Sequence, residues 1–110
     1  MQDFQSLCQL RRSYRKYTNQ PVEQEKLDYI IRCALMSPAG KRMNPWHFVV
    51  IKNEEILRQL AGCRTYGSGM FDTAMAGIVV AADTSVIDTW QCDAAIAAQN
   101  IWLAAADQGL

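Results

Sequence analysis

The stretch SPAGKRMNPWHFVVI, Ser37 to Ile51, passes from a helix end through a loop into a strand, and the rest of the chain is read outward from it. Ser37-Pro38 closes the element before it, because the residue preceding a proline is pushed out of the helical region. Phe48 to Ile51 is an apolar run rich in β-branched residues, the pattern of a buried strand. Ala39 to Asn44 packs small residues, two cations and an amide into one loop. Ala39 and Gly40 leave backbone N–H and C=O groups open to a flat ligand, and Lys41, Arg42 and Asn44 offer donors to its carbonyls. An ordinary surface turn is the plain alternative.

Towards the N-terminus, Leu27, Ile30, Ile31, Ala34 and Leu35 fall at helical spacing, with Glu23 and Glu25 placed to favour the positive end of the helix dipole. A shorter helix is expected over Phe4, Leu7, Cys8 and Arg11. It gives way at RRSYRKY, Arg11 to Tyr17, which holds four of the chain's eleven basic residues. In an extended segment alternate residues face the same way, so Arg11, Ser13 and Arg15 would share one side and aim two cations and a hydroxyl at one spot. Arginine supplies paired donors that fit phosphate oxygens. A solvated basic connection is the competing reading.

Towards the C-terminus, Asn53 to Leu60 reads as a helix with Asn53 as N-cap and Gly62 as its stop. Gly67-Ser68-Gly69 is a flexible connection, too short for a dinucleotide fingerprint and not placed between a strand and a helix. Ala76 to Ala82 is a second apolar strand. From Asp88 to Ala106 the chain is helical again, with Ala, Ile, Leu and Trp on nearly every face. A helix apolar all round requires burial all round, and nothing else in the chain is large enough to surround it. Two strands do not make an independently stable sheet either. The chain is therefore expected to need a partner subunit, a further C-terminal segment, or both.

The chain has 110 residues and balances eleven Lys and Arg against eleven Asp and Glu, so the basic cluster suits one small anion better than a nucleic-acid backbone. No N-terminal signal and no membrane-length apolar run is present, which reads as a soluble, cytoplasmic protein. Cys8, Cys33, Cys63 and Cys92 are spaced 25 to 30 residues apart without a CxxC pair, so a metal site is not expected and the thiols read as reduced, small apolar residues. His47 has no sequence partner for acid-base work, and Trp46, Trp90 and Trp102 read as packing residues.

RRSYRKY followed by PVEQEKLDYIIRCALMSPAGKRMNPWHFVVI resembles the nitroreductase family of flavin mononucleotide enzymes, with its RxSxR-type motif and SPSxxNxQPWxF-type loop. AGIVVAADTS and DAAIAAQNIWLAAADQGL are similar to the family's central strand and long dimer-core helix. The resemblance implies an α/β (α+β) sandwich over residues 1–110, a single domain with a mixed sheet flanked by helices, built as an intertwined homodimer and continuing past Leu110 in the family. It implies FMN as cofactor, NADH or NADPH as donor, and nitroaromatics, quinones or similar conjugated electrophiles as acceptors, in a ping-pong cycle. Arg11, Ser13 and Arg15 correspond to phosphate-binding positions, and Arg12 to a neighbouring cofactor-binding position whose backbone or side chain touches the flavin nucleotide. Pro38, Ala39 and Gly40 correspond to the loop along the flavin ring, and Asn44 to a glutamine near its polar edge. Arg42 stands where the family commonly has asparagine. With Lys41 beside it, the added positive charge would favour anionic reduced flavin, or else face solvent or substrate. Tyr66 and Met70 fall in a region that lines the active site in the related fold. The competing class is a dimeric flavin- or nucleotide-binding sensor or carrier without turnover.

Overall fold

The computed structural model describes residues 3–110. Its helices are α1 (Phe4–Leu10), α2 (Gln24–Leu35), α3 (Glu54–Ala61) and α4 (Trp90–Asp107), and its strands are β1 (Trp46–Ile51) and β2 (Gly77–Ala82). Short 3₁₀ turns occupy Gly40–Arg42 and Gly69–Asp72. The part of the sheet contributed by this chain is the pair β1-β2. The Asp83 N–H donates to the Pro45 carbonyl at 2.8 Å, which extends the antiparallel ladder one residue beyond the β1 start and the β2 end.

The chain divides into two compact units, the boundary running across both strands. Of the described residues, the first holds 3–12, 24–48 and 80–110. There α4 is the central element, with α2 and α1 packed on it. α2 buries Leu27, Ile30 and Ala34 of the five residues its spacing selects, leaving Ile31 half-buried and Leu35 exposed, and α4 buries Ala97, Ala104 and Ala106. Each large apolar side chain removed from water here contributes about 1.5–3 kcal/mol. Tyr29 on α2 donates its hydroxyl hydrogen to Asp107 on α4 at 2.8 Å. α1 starts at Asp3, whose carboxylate accepts from the Ser6 N–H at 3.0 Å, an N-cap bond that holds the Asp3 carboxyl below its usual range.

The second unit holds residues 13–23 and 49–79. Asn53 caps α3 as expected, accepting from the Ile56 N–H at 3.0 Å. Leu57 is its buried anchor, and α3 packs on the turn Gly69–Asp72. Gly77 lies so close that an added Cβ would sit 3.0 Å from the Phe71 ring and 3.2 Å from a Leu57 methyl, so glycine is what lets the strand pass there. Arg58 stitches the loop above, donating to the carbonyls of Phe71 at 2.7 Å and Ala74 at 2.9 Å. Ser68 is buried, its hydroxyl donating to the Ala61 carbonyl at 2.8 Å. This bond gives Gly67-Ser68-Gly69 a structural purpose in place of a flexible one.

Two expectations about burial are corrected. Val49 and Val50 on β1 and Val79 on β2 are exposed where buried strands are expected, whereas the 42 % exposure of Ile96 and Trp102 on α4 is what a helix without enough surrounding chain shows. Their apolar character specifies burial, but no element of this chain covers them. The cysteines are also not small core residues: all four are free thiols, with Cys8, Cys63 and Cys92 exposed and Cys33 half-buried. Among the described residues no helix is long and apolar enough to cross a membrane, and no group of acidic, histidine or cysteine residues is placed to hold a metal.

Candidate functional site

The loop after α2 is built from both ends. At its start the Ser37 N–H donates to the Ala34 carbonyl at 3.1 Å, closing the last helical turn. The buried Ser37 hydroxyl accepts from the Asn100 side-chain amide of α4 at 2.8 Å. At its end Pro45 is fully buried, and Trp46 is buried with its ring stacked on Phe48 at 5.3 Å between centroids. The Trp46 indole N–H is buried with no acceptor among the described residues.

Between these anchors stands a residue that sequence reasoning passed over. Asp93, in the first turn of α4, is only 4 % exposed. One of its carboxylate oxygens accepts from the Gly40 N–H at 3.1 Å, the other from the Thr89 hydroxyl at 3.1 Å. A buried carboxylate is costly unless hydrogen-bonded, and here both oxygens are engaged. Gly40 is required by the same close approach: an added Cβ would overlap the Thr89 hydroxyl and lie 3.0 Å from the Ile87 side chain. The signal in the sequence is a lone acid in the run DAAIAAQNIWLAAA, but one Asp near a helix start reads equally well as a dipole partner.

Past Gly40 the backbone turns left-handed. Lys41 has φ 51°, Arg42 φ 58° and Asn44 φ 47°, three non-glycine residues in a region that L-amino acids enter at a cost of about 1–2 kcal/mol each. Their side chains are all exposed. A loop pinned at Gly40, Ser37 and Pro45 sustains this conformation, and it projects two cations and a carboxamide outward. Pro38, Ala39, Gly40, Lys41, Arg42 and Asn44 are thus gathered in one element, Pro38 exposed, Ala39 and Gly40 half-buried.

The basic cluster divides its arginines between two tasks. Arg11 ends α1 in extended conformation, φ −58° and ψ 131°, with its N–H donating to the Leu7 carbonyl at 3.1 Å. Its guanidinium carbon sits 4.4 Å from the Trp102 ring centroid. The Trp102 indole N–H donates to the Arg12 carbonyl at 3.3 Å, so Trp102 does more than pack. Arg12 turns back: its guanidinium donates to the carbonyls of Gln9 and, at 2.9 Å, of Arg11. Ser13 and Arg15 belong to the second unit and are exposed, as are Tyr66 and its neighbour Gly67, while Met70 is half-buried in the turn Gly69–Asp72. In that unit the Tyr17 N–H donates to the Thr73 hydroxyl at 2.9 Å, fixing the far end of the basic stretch. His47 is exposed on β1.

These residues suit a flavin mononucleotide by the chemistry of their donors: a guanidinium with unspent N–H groups for an anion, and a rigid, cation-bearing loop for a planar ring with carbonyls. The profile described as Nitroreductase family matches residues 9–63, half of the chain. A Methanothermobacter thermautotrophicus protein, provisionally named an NADH dehydrogenase/NAD(P)H nitroreductase, is 39 % identical over 103 residues, covering 91 % of this chain and 53 % of its own length. Among solved structures, an FMN-dependent nitroreductase from Clostridium difficile R20291 superposes with a TM-score of 0.88 at 43 % identity, over 90 % of this chain and 58 % of that one. A nitroreductase from Desulfovibrio desulfuricans, solved in complex with FMN, gives a TM-score of 0.85 at 26 % identity, over 98 % of this chain and 65 % of that one. The chain therefore spans between about half and two thirds of the length of these relatives.

The fold is the nitroreductase-like α/β class. The chain belongs to the Nitroreductase family.

Proposed function

We propose that this protein is an FMN-dependent NAD(P)H oxidoreductase of the nitroreductase type, acting as a cytoplasmic homodimer on nitroaromatics, quinones or similar conjugated acceptors. The observation that carries the reading is the loop Pro38–Asn44, held by Asp93 and by buried neighbours in a left-handed conformation that presents exposed donors. Strain sustained in one short loop by the surrounding structure marks a functional element.

FMN, when bound, supplies the redox chemistry, taking hydride from NADH or NADPH and passing electrons to the acceptor in a ping-pong cycle. The chain's own residues bind and orient. Arg11, Ser13 and Arg15 provide donors for the phosphate, and Arg12 braces the turn that carries them. Pro38, Ala39 and Gly40 lie along the ring, and Asn44 offers an amide to its polar edge. Arg42 and Lys41 add positive charge, which favours an anionic reduced ring and attracts acceptors or donors bearing negative charge. Tyr66 and Met70 border the substrate. Ile96 and Trp102, half-exposed on an otherwise apolar α4, support burial against a second subunit. Four free thiols fit a reducing compartment.

The test is anaerobic titration of the yellow, flavin-loaded protein with NADH and NADPH. Bleaching of the visible flavin absorbance by at least one of them is expected; a protein that stays yellow with both is a flavin carrier and not this enzyme.

A further inference from the structure

We propose that Trp102 is a positioning residue for the cofactor phosphate, holding Arg11 face-on so that the guanidinium's in-plane N–H groups are presented to that anion. The inference rests on the flavin reading above and adds a residue on a distant element to it. Its ground is the geometry around residues 11 and 12. The Arg11 guanidinium lies 4.4 Å from the Trp102 ring centroid, within the range of a cation–π contact. Stacking uses only the face of a guanidinium. Its five N–H donors radiate in the plane and stay available to an anion at the edge. Lysine in this place would have no such separation of face and edge.

The same indole fixes the backbone. Its Nε1–H donates to the Arg12 carbonyl at 3.3 Å, so both the side chain of residue 11 and the main chain of residue 12 are referenced to α4. Arg12 has its Nη1 group committed to the Gln9 and Arg11 carbonyls, which turns its guanidinium back towards the end of α1. The Arg11 guanidinium is only half-buried, so without a platform its long side chain would sample many rotamers. Ordering such a chain before the ligand arrives lowers what binding must offset. Nothing in the periodicity of α4 distinguishes this tryptophan from a packing residue; only the contact does.

Two ligands that share a ring and differ in the phosphate separate positioning from mere structure. FMN and riboflavin are titrated into flavin-stripped wild-type protein and into Trp102→Leu and Trp102→Phe. Trp102→Leu should weaken FMN about two- to fivefold and leave riboflavin unchanged, with Trp102→Phe recovering most of the loss. In an Arg11→Ala background the Leu change should have no further effect. Equal losses for both ligands, a loss that persists without Arg11, or tighter FMN binding in Trp102→Leu, as a competing parking site would give, overturns the proposal. Were Trp102→Leu not to fold, a cycle of Arg11→Lys with Trp102→Phe replaces it: non-additive losses in FMN affinity support the proposal, additive ones contradict it. A wild type that binds neither flavin would remove the flavin reading. Calorimetric titration of inorganic phosphate into wild type and Trp102→Leu then decides the positioning role alone, weaker binding in the variant supporting it, equal or undetectable binding in both overturning it.

Discussion

Arg11 and Arg12 are adjacent and chemically identical, yet Arg11 lies against the Trp102 ring while Arg12 turns back to the carbonyls of Gln9 and Arg11, which a sequence cannot show. The alternate spacing of Arg11, Ser13 and Arg15 is a feature of the sequence, read against the period of two of extended backbone. That Arg12 would spend its donors on the carbonyls at the end of α1 depends on where the helix stops, and helix ends are the least determined feature of a sequence. Asp93 was hidden for a similar reason: its two partners, Gly40 and Thr89, are 53 and 4 residues away, and only the fold brings the first of them near. Gly40, by contrast, stood out as a small residue ahead of two cations, but the expected openness of its backbone is corrected: its N–H is spent on Asp93 and its carbonyl on the Met43 N–H, and its missing side chain serves close packing against Thr89. Gly40→Ala should force the Thr89 hydroxyl from its place and destabilise the fold by about 1–3 kcal/mol, the range for inserting a methyl into a packed site. The midpoint of urea unfolding measures this, and an unchanged midpoint would show that the loop yields freely.

At the scale of elements, the helices were read well because their stripes are local. α2 buries Leu27, Ile30 and Ala34 of the stripe its spacing selects, though not Leu35, and Asn53 caps α3 as the residue type requires. The strands were placed correctly but their burial was not, since β-branched sequence reports suitability for a covered face, and the cover is not supplied by this chain. The tie between α2 and α4 through Tyr29 and Asp107 has a pH signature. The hydrogen bond to Asp107, assisted by desolvation and by Cys33 nearby, pushes the Tyr29 hydroxyl from 10.0 up to about 12. The folded state then holds this proton where the unfolded chain has released it. The stabilisation is fully present below about pH 10 and is lost as pH rises towards 12. Thermal melts across that alkaline window should show wild type losing stability faster than Tyr29→Phe; parallel losses would mean the bond contributes nothing.

At the scale of the whole molecule, the eighteen-residue α4 is apolar on nearly every face, and Ile96 and Trp102 on it are each left 42 % exposed. Association through this helix predicts twice the chain mass in multi-angle light scattering of the full gene product, and a monomer at micromolar concentration would contradict it. The account depends most on the cofactor. Flavin-stripped protein titrated with FMN in a calorimeter tests that dependence: wild type should saturate at one FMN per chain, and Arg11→Ala/Arg15→Ala should lose the binding while its circular dichroism stays native. A wild type that takes up no FMN, or a double variant that retains it stoichiometrically, would contradict the assignment.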